Sequence, residues 1–208
     1  MPIKICVAQL NYCVGDMMGN ARKIIAAGRQ AHASGCQVLL TPELAICGYA
    51  AEDLYLRPAF LQACEDAVDL VARELADLPD LHVVLGSPAR AAPGTGLRTR
   101  SVAVPQLFNA AHVIRAGRRL HTYAKRELPN YQVFDERRYF TPGHEPCVFT
   151  VGQGADALRV GVLICEDAWF EEPARLSKAA GAELLAVINA SPFHAGKASE
   201  REAAMALR

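Results

Sequence analysis

Three residues far apart in the chain could together open a carbon–nitrogen bond. Cys165 closes the apolar run Val160-Gly-Val-Leu-Ile and is followed by Glu166, Asp167, Ala168 and Trp169. A packing cysteine would sit inside such a run. One at its polar end is offered at the carboxyl edge of a strand, where open α/β sheets keep their chemistry. Glu43 follows Val38-Leu-Leu-Thr-Pro, and Lys125 follows Thr122-Tyr-Ala. A free thiol titrates at about 8.5 and is a weak nucleophile at neutral pH until a neighbour takes its proton or stabilises the thiolate. Glu43 can accept that proton and later return it to departing ammonia. Lys125 can stabilise the thiolate and the tetrahedral oxyanion, and the backbone N–H of Glu166 is placed to be a second oxyanion donor. Singly, each feature has an ordinary structural explanation: a core thiol, a turn, a solvated charge. Jointly, three complementary groups at three strand ends point to opening of a carboxamide.

The elements that must position them alternate between periods. A strand is expected over 3–9, then a helix with Ala21, Ile24, Ile25, Gly28 and Ala31 on one face and Gly35 as its stop. A strand over 38–40 leads to Glu43. Pro58 suits the first turn of a second helix with Leu61, Cys64, Val68, Val71 and Leu75 inside. A strand over 82–86, an exposed loop over 89–100 and a hairpin of 108–115 with 119–124 follow, the hairpin turning on Ala116-Gly117. Residues 125–145 have no clear period and read as a long functional loop. Strands over 148–151 and 157–164, a short helix opened by Pro173 and ended by Gly181, and a strand over 184–188 come next. Ser199-Glu-Arg-Glu202 is a capping box for a last helix. The alternation gives an α/β class, with the hairpin arguing against a purely parallel sheet.

Bulk properties exclude several functions. Lys plus Arg equals Asp plus Glu at 22 each among 208 residues, so no polyanion or nucleic-acid partner is indicated. Nothing approaches the roughly 20 apolar residues that span a bilayer, and no signal peptide precedes the first strand. Seven cysteines occur with no zinc-like spacing, so no metal is expected; six are read as core residues in a cytoplasmic protein. Neither Gly94-Thr-Gly96 nor Gly152-Gln-Gly154 completes a nucleotide fingerprint.

At Glu43, Lys125 and Cys165 the chain resembles the carbon–nitrogen hydrolase (nitrilase) superfamily, whose Glu-Lys-Cys triad occurs in this order. The resemblance implies Glu43 as general base, Lys125 as oxyanion-side cation, Cys165 as the thioester-forming nucleophile, and a four-layer αββα sandwich. Finer segments are similar to one branch, the glutaminase domains of glutamine-dependent NAD synthetases: Pro42-Glu-Leu-Ala-Ile-Cys-Gly-Tyr49, Lys125-Arg-Glu-Leu-Pro-Asn-Tyr131 on to Phe140, and Asn189-Ala-Ser191 on to Lys197. The branch implies Tyr131, Ser191 and Lys197 as glutamine contacts and Glu136 as an extra carboxylate beside the triad. Asp167 and Trp169 are read as walls of the site. The domain, residues 1–208, would need no cofactor and would be incomplete at its carboxyl end. ATP, Mg and deamido-NAD are implied only for a separate synthetase domain, joined in a homo-oligomer.

Overall fold

Local chemistry sets most boundaries in the computed structural model, which describes residues 2–91, 97–98, 103–104 and 106–208. Strand β1 (Ile5–Val7) leads to helix α1 (Met17–Ala33), capped by Asp16, whose carboxylate accepts the Gly19 N–H. Its buried stripe includes Ala21, Ile24, Gly28 and Ala31, and Gly35, at φ +76°, turns the chain into β2 (Val38–Leu40). Helix α2 (Pro58–Glu74) starts on its proline and buries Cys64, Ala67, Val68 and Val71. Next come β3 (His82–Arg90), the short pair β4 (Leu97–Arg98) and β5 (Ala103–Val104), then β6 (Leu107–Arg115) and β7 (Arg118–Ala124). Ala116 and Gly117 both have positive φ, +48° and +75°, as a two-residue hairpin turn requires. The chain continues through β8 (Val148–Val151), β9 (Leu158–Ile164), α3 (Glu171–Ala179), β10 (Leu184–Ile188) and α4 (Lys197–Met205).

Two sheets result. One has the order β1-β2-β3-β6-β7, parallel through β3 and antiparallel thereafter; the other has the order β10-β9-β8, with β9 and β10 parallel. Ile24, Val68 and Val71 of the helices pack on Leu39, Val83, Leu85 and Ile114 of the larger sheet. Its other face, with Val38, Val84, Ala111 and Val113, meets Phe149, Val160, Val162 and Ile188 of the smaller one. Helix α3 closes the far side, where Ser177 lies over Gly161 of β9. The layers are therefore α, β, β, α, and burial on both faces explains why β3 reads as an almost unbroken apolar run.

Several expected boundaries move. Strand β1 has three residues because its pairing with β2 extends only from Ile5–Val38 to Val7–Leu40. The strand expected to stop at Gly86 runs on to Arg90, since Ser87 to Arg90 pair with β6, a long-range bond no local pattern encodes. Residues 92–96 and 99–100 of the expected loop, with Gly94-Thr-Gly96 and Arg100, lie outside the described residues. Pro173 is the third residue of α3, which opens at Glu171. The capping box does not form: α4 starts at Lys197 behind Gly196 at φ +80°, and the Ser199 hydroxyl donates to the Gly196 carbonyl at 3.1 Å. Of the six cysteines expected in the core, Cys36, Cys47, Cys64 and Cys147 are buried, Cys6 is half-buried and Cys13 is exposed.

One glycine carries the loop that follows β2. A Cβ on Gly86 would lie 2.4 Å from the Pro42 carbonyl oxygen and 2.5 Å from the Leu44 nitrogen, both backbone atoms that cannot swing aside. Gly86→Ala should therefore cost about 1–3 kcal/mol, the usual range for overpacking. Urea titration should show a lower midpoint at unchanged slope; an unaltered midpoint would mean that the loop yields freely.

Candidate active site

The topology brings four strand ends and one strand start to the same edge. β2 and β3 are parallel, β6 runs against β3, and β7 runs against β6, so β7 ends where β2 ends and β6 begins there. Glu43 lies just past β2, in a loop folded back by Leu44 at φ +51°. Lys125 directly follows β7; its N–H donates to the Asn109 carbonyl at 2.8 Å, and its carbonyl accepts the Gly143 N–H at 2.8 Å. Glu136 opens a single 3-10 turn, Glu136–Arg138, within the long loop.

These side chains form one buried cluster. Lys125 Nζ lies 2.7 Å from Glu43 Oε1 and 2.8 and 3.0 Å from the two oxygens of Glu136. Tyr49 donates its hydroxyl to Glu136 Oε1 at 3.0 Å, and the Ala190 N–H donates to Glu43 Oε2 at 3.3 Å. Asn109 Nδ2 donates to Glu43 Oε1 at 2.7 Å and to Glu136 Oε2 at 3.3 Å. Lys125, Glu43 and Glu136 are 1, 2 and 4% exposed, so water does little of the charge compensation. Burial works against the Lys125 ammonium, but the two carboxylates outweigh it and hold its pKa above the ordinary lysine range. Burial, then the charge of Glu43, push the Glu136 carboxyl up to about 7 against the opposing pull of Lys125. Glu136 is thus the member of the pair that takes up a proton near neutrality.

Cys165 ends β9 at φ +44°, a left-handed conformation unusual for a residue with a side chain, and opens the 3-10 turn Cys165–Trp169. Its sulfur lies 3.2 Å from Ser191 Oγ, past the end of β10. Burial and the charge of Glu43 push the thiol up to about 12, opposed by Lys125, Ser191 and the Ala190 backbone. The thiol is therefore protonated at neutral pH, with the Glu43 carboxylate within electrostatic reach.

Asp167 fixes the two halves. One oxygen accepts the Ile164 N–H at 3.0 Å and the Tyr123 hydroxyl at 2.9 Å; the other accepts the N–H groups of Arg126 and Glu127 at 3.0 and 2.8 Å. It thereby ties the end of β7 and the residues after Lys125 to the turn after Cys165. Its place is structural and more central than that of a wall. Trp169 stacks under the Lys197 ammonium, 5.2 Å from the ring centroid. Tyr131 donates to the Glu166 carboxylate at 2.9 and 3.1 Å at the rim.

Of the residues singled out in the sequence, Glu43, Lys125, Glu136, Cys165 and Ser191 converge. Tyr131 and Glu166 pair beside them, and Lys197 stands behind Trp169. Glu43 and Ser191 line a cleft of 420 Å³ with Tyr12, Tyr49, Asn189 and Arg201; Glu136 and Tyr49 line another of 240 Å³ with Tyr55 and Phe140. Asn109 and Tyr49 had no assigned role. The signal for Asn109 was a lone amide in the otherwise apolar start of β6, which a buried strand tolerates only with a partner. Among the described residues no group of three or more His, Cys, Asp or Glu side chains could hold a metal ion, and no helix is long and apolar enough to cross a membrane.

A cysteine beside a buried lysine and two carboxylates, at the edge of an αββα sandwich, defines an amide-cleaving class of site. Residues 4–206 match the carbon–nitrogen hydrolase family, and the chain belongs to it. It is 45% identical over 211 residues to a glutamine-dependent NAD(+) synthetase of Xanthomonas campestris pv. campestris, covering 99% of this chain and 34% of that protein. A namesake from Thermotoga maritima is 39% identical over 94% of this chain and 31% of its own length. The chain thus spans about a third of these relatives. The solved glutamine-dependent NAD+ synthetase of Acinetobacter baumannii superposes with a TM-score of 0.80 at 32% identity, over 96% of this chain and 34% of that one. An amidase from Nesterenkonia sp. AN1 shares the fold, with a TM-score of 0.74 at 24% identity over 94% of this chain and 70% of its own.

The raised Glu136 carboxyl has a thermodynamic consequence. Glu136 titrates near 4.5 when unfolded and near 7 when folded, so between those values the folded state binds more protons. The stability contributed by this group is greatest at the acid end and declines as pH rises through that window. Glu136→Gln should flatten the decline, read as urea midpoints at pH 5 and pH 7; parallel curves for parent and variant would refute the assignment.

Proposed function

We propose that this chain is a glutamine amidohydrolase module of a glutamine-dependent NAD(+) synthetase, releasing ammonia through a cysteine thioester. The observation that carries the reading is the Glu43–Lys125–Glu136 cluster beside Cys165, in a chain 45% identical to such a synthetase. As Cys165 Sγ attacks the carboxamide carbon, Glu43 takes the thiol proton, and the carbonyl π-electrons move to oxygen. The Lys125 ammonium and the Glu166 N–H stabilise that oxyanion. Collapse of the intermediate breaks the C–N bond while Glu43 gives its proton to the leaving nitrogen, so ammonia departs and a thioester remains. Water, deprotonated by Glu43, then cleaves the thioester to glutamate and restores the thiol. Glu136 keeps Lys125 aimed by accepting from its ammonium at 2.8 and 3.0 Å.

At the other end of the substrate, Ser191, Tyr131 and the Lys197 ammonium hold the amino-acid portion. The cation–π contact with Trp169 supports this by keeping Lys197 from swinging into solvent. On this reading the remaining two thirds of a full-length synthetase use the ammonia to amidate deamido-NAD with ATP and Mg, in a cytoplasmic oligomer.

Ammonia release from L-glutamine tests the proposal. Cys165→Ala should lower kcat/KM by at least about 10⁴-fold. Lys197→Ala should raise KM for glutamine roughly tenfold or more while leaving turnover of propionamide, which has no α-carboxylate, unchanged. Turnover that survives Cys165→Ala would discard the mechanism. Equal efficiency on propionamide and glutamine would instead favour an amidase for other small amides.

A further inference from the structure

We propose that Asn109 is a positioning residue: its side-chain amide, bridging Glu43 and Glu136, decides which carboxylate is left ionised to act as the base. The inference rests on the amidohydrolase reading for its kinetic test but not for its spectroscopic one.

Asn109 is fully buried near the start of β6. Its carbonyl holds the Lys125 N–H, and its Nδ2 reaches both acids, so one residue fixes the cation through its backbone and the anions through its side chain. Both amide contacts are to carboxylate oxygens, which sets the orientation of the amide. The other groups facing the pair come from every neighbouring element. They are Lys125 after β7, Tyr49 and Tyr55 from the segment after β2, Cys165 after β9 and the Ala190 N–H after β10. Among the described residues, Lys125 and Asn109 touch both carboxylates.

Lys125 meets Glu43 once, at 2.7 Å, and Glu136 twice, at 2.8 and 3.0 Å, so it leans slightly toward Glu136. Asn109 leans the other way, at 2.7 Å from Glu43 and 3.3 Å from Glu136. Donation to an acid favours its ionised form, and the favour grows as the bond shortens. Two buried carboxylates beside a single ammonium resist being ionised together. The lopsided amide therefore tips the pair toward protonation at Glu136, against the Lys125 and Tyr49 donations that favour an ionised Glu136, and leaves Glu43 free to take the thiol proton. Packing alone gives no reason for an amide here: Ala110, Ala111 and Val113 of the same strand are buried apolar residues, and Asn109 Oδ1 is buried with no partner among the described residues.

Two variants test this. Asn109→Leu keeps the branched shape, though it is larger, and removes both donors; Asn109→Ser, smaller and polar, covers the case in which the leucine variant does not fold. The acidic limb of kcat/KM for glutamine against pH should move up by about one unit in either. A lower kcat with the limb in place would mark Asn109 as packing only and overturn the proposal. If the parent releases no ammonia from glutamine, the amidohydrolase reading falls, and a second measurement still decides this one. With carboxyl-¹³C glutamate incorporated and resonances assigned through Glu43→Gln and Glu136→Gln, the neutral-range titration should ride on Glu136 in the parent and be divided between the two acids in the variants. Identical titrations in parent and variants would refute it.

Discussion

A single buried ammonium sets the terms for this structure. Lys125 is 1% exposed, and the cost of taking that charge out of water is repaid only because two carboxylates meet it at hydrogen-bond distance. Such a cluster is a poor way to gain stability, since apolar residues of the same volume commonly serve as well or better. Its retention in an otherwise well-packed core makes sense as chemistry. The same three charges also explain the neighbours: Tyr49, Asn109 and the Ala190 N–H occupy carboxylate lone pairs that would otherwise be buried and unsatisfied.

Glu43, Asn109, Lys125 and the Ala190 N–H each arrive from a different strand, so the cluster works as a register mark for both sheets. Glu43 comes from the segment after β2, Asn109 from β6, Lys125 from the end of β7, and Ala190 from the segment after β10. The nucleophile needs a second tie because its strand lies in the other sheet. Asp167 supplies it by gathering donors from both sides of the sandwich. Burial, more than any charge, pushes its carboxyl up to about 6, and the donors pull against that shift. Ionised Asp167 is tolerated there because all its bonds come from groups that need an acceptor.

The sequence was legible where one residue's surroundings are local. The helices that pack on the larger sheet show their stripes, strand β2 has the boundaries expected, and the hairpin turn announces itself in Ala116-Gly117. Glu43, Lys125 and Cys165 stood out because each follows an expected strand end, a placement visible without knowing the partner. Long-range pairing was not legible. The extension of β3 to Arg90 exists only through β6. The capping box at Ser199 failed because Gly196 starts α4 earlier, so the serine lies inside the first turn. Glu136 sat among Asp135, Arg137 and Arg138, where its inward direction is set by a loop with no period. Asn109 could be seen as odd but not understood, since its meaning lies in two carboxylates at positions 43 and 136.

The proton inventory of the resting site follows from the same burial. Near neutral pH it holds a protonated thiol, an ammonium and a Glu136 carboxyl raised to about 7. A nucleophile kept as a thiol is inert toward stray electrophiles and oxidants, which act on thiolates. On the proposed mechanism it becomes reactive only when a carbonyl carbon is close enough for attack and proton transfer to run together. Charge then moves from sulfur toward an oxygen lying by Lys125, in surroundings too dry to screen it. The burial that disfavours a free thiolate is thus what strengthens the interaction of the ammonium with the oxyanion, and one property of the site makes it both quiet at rest and responsive to substrate.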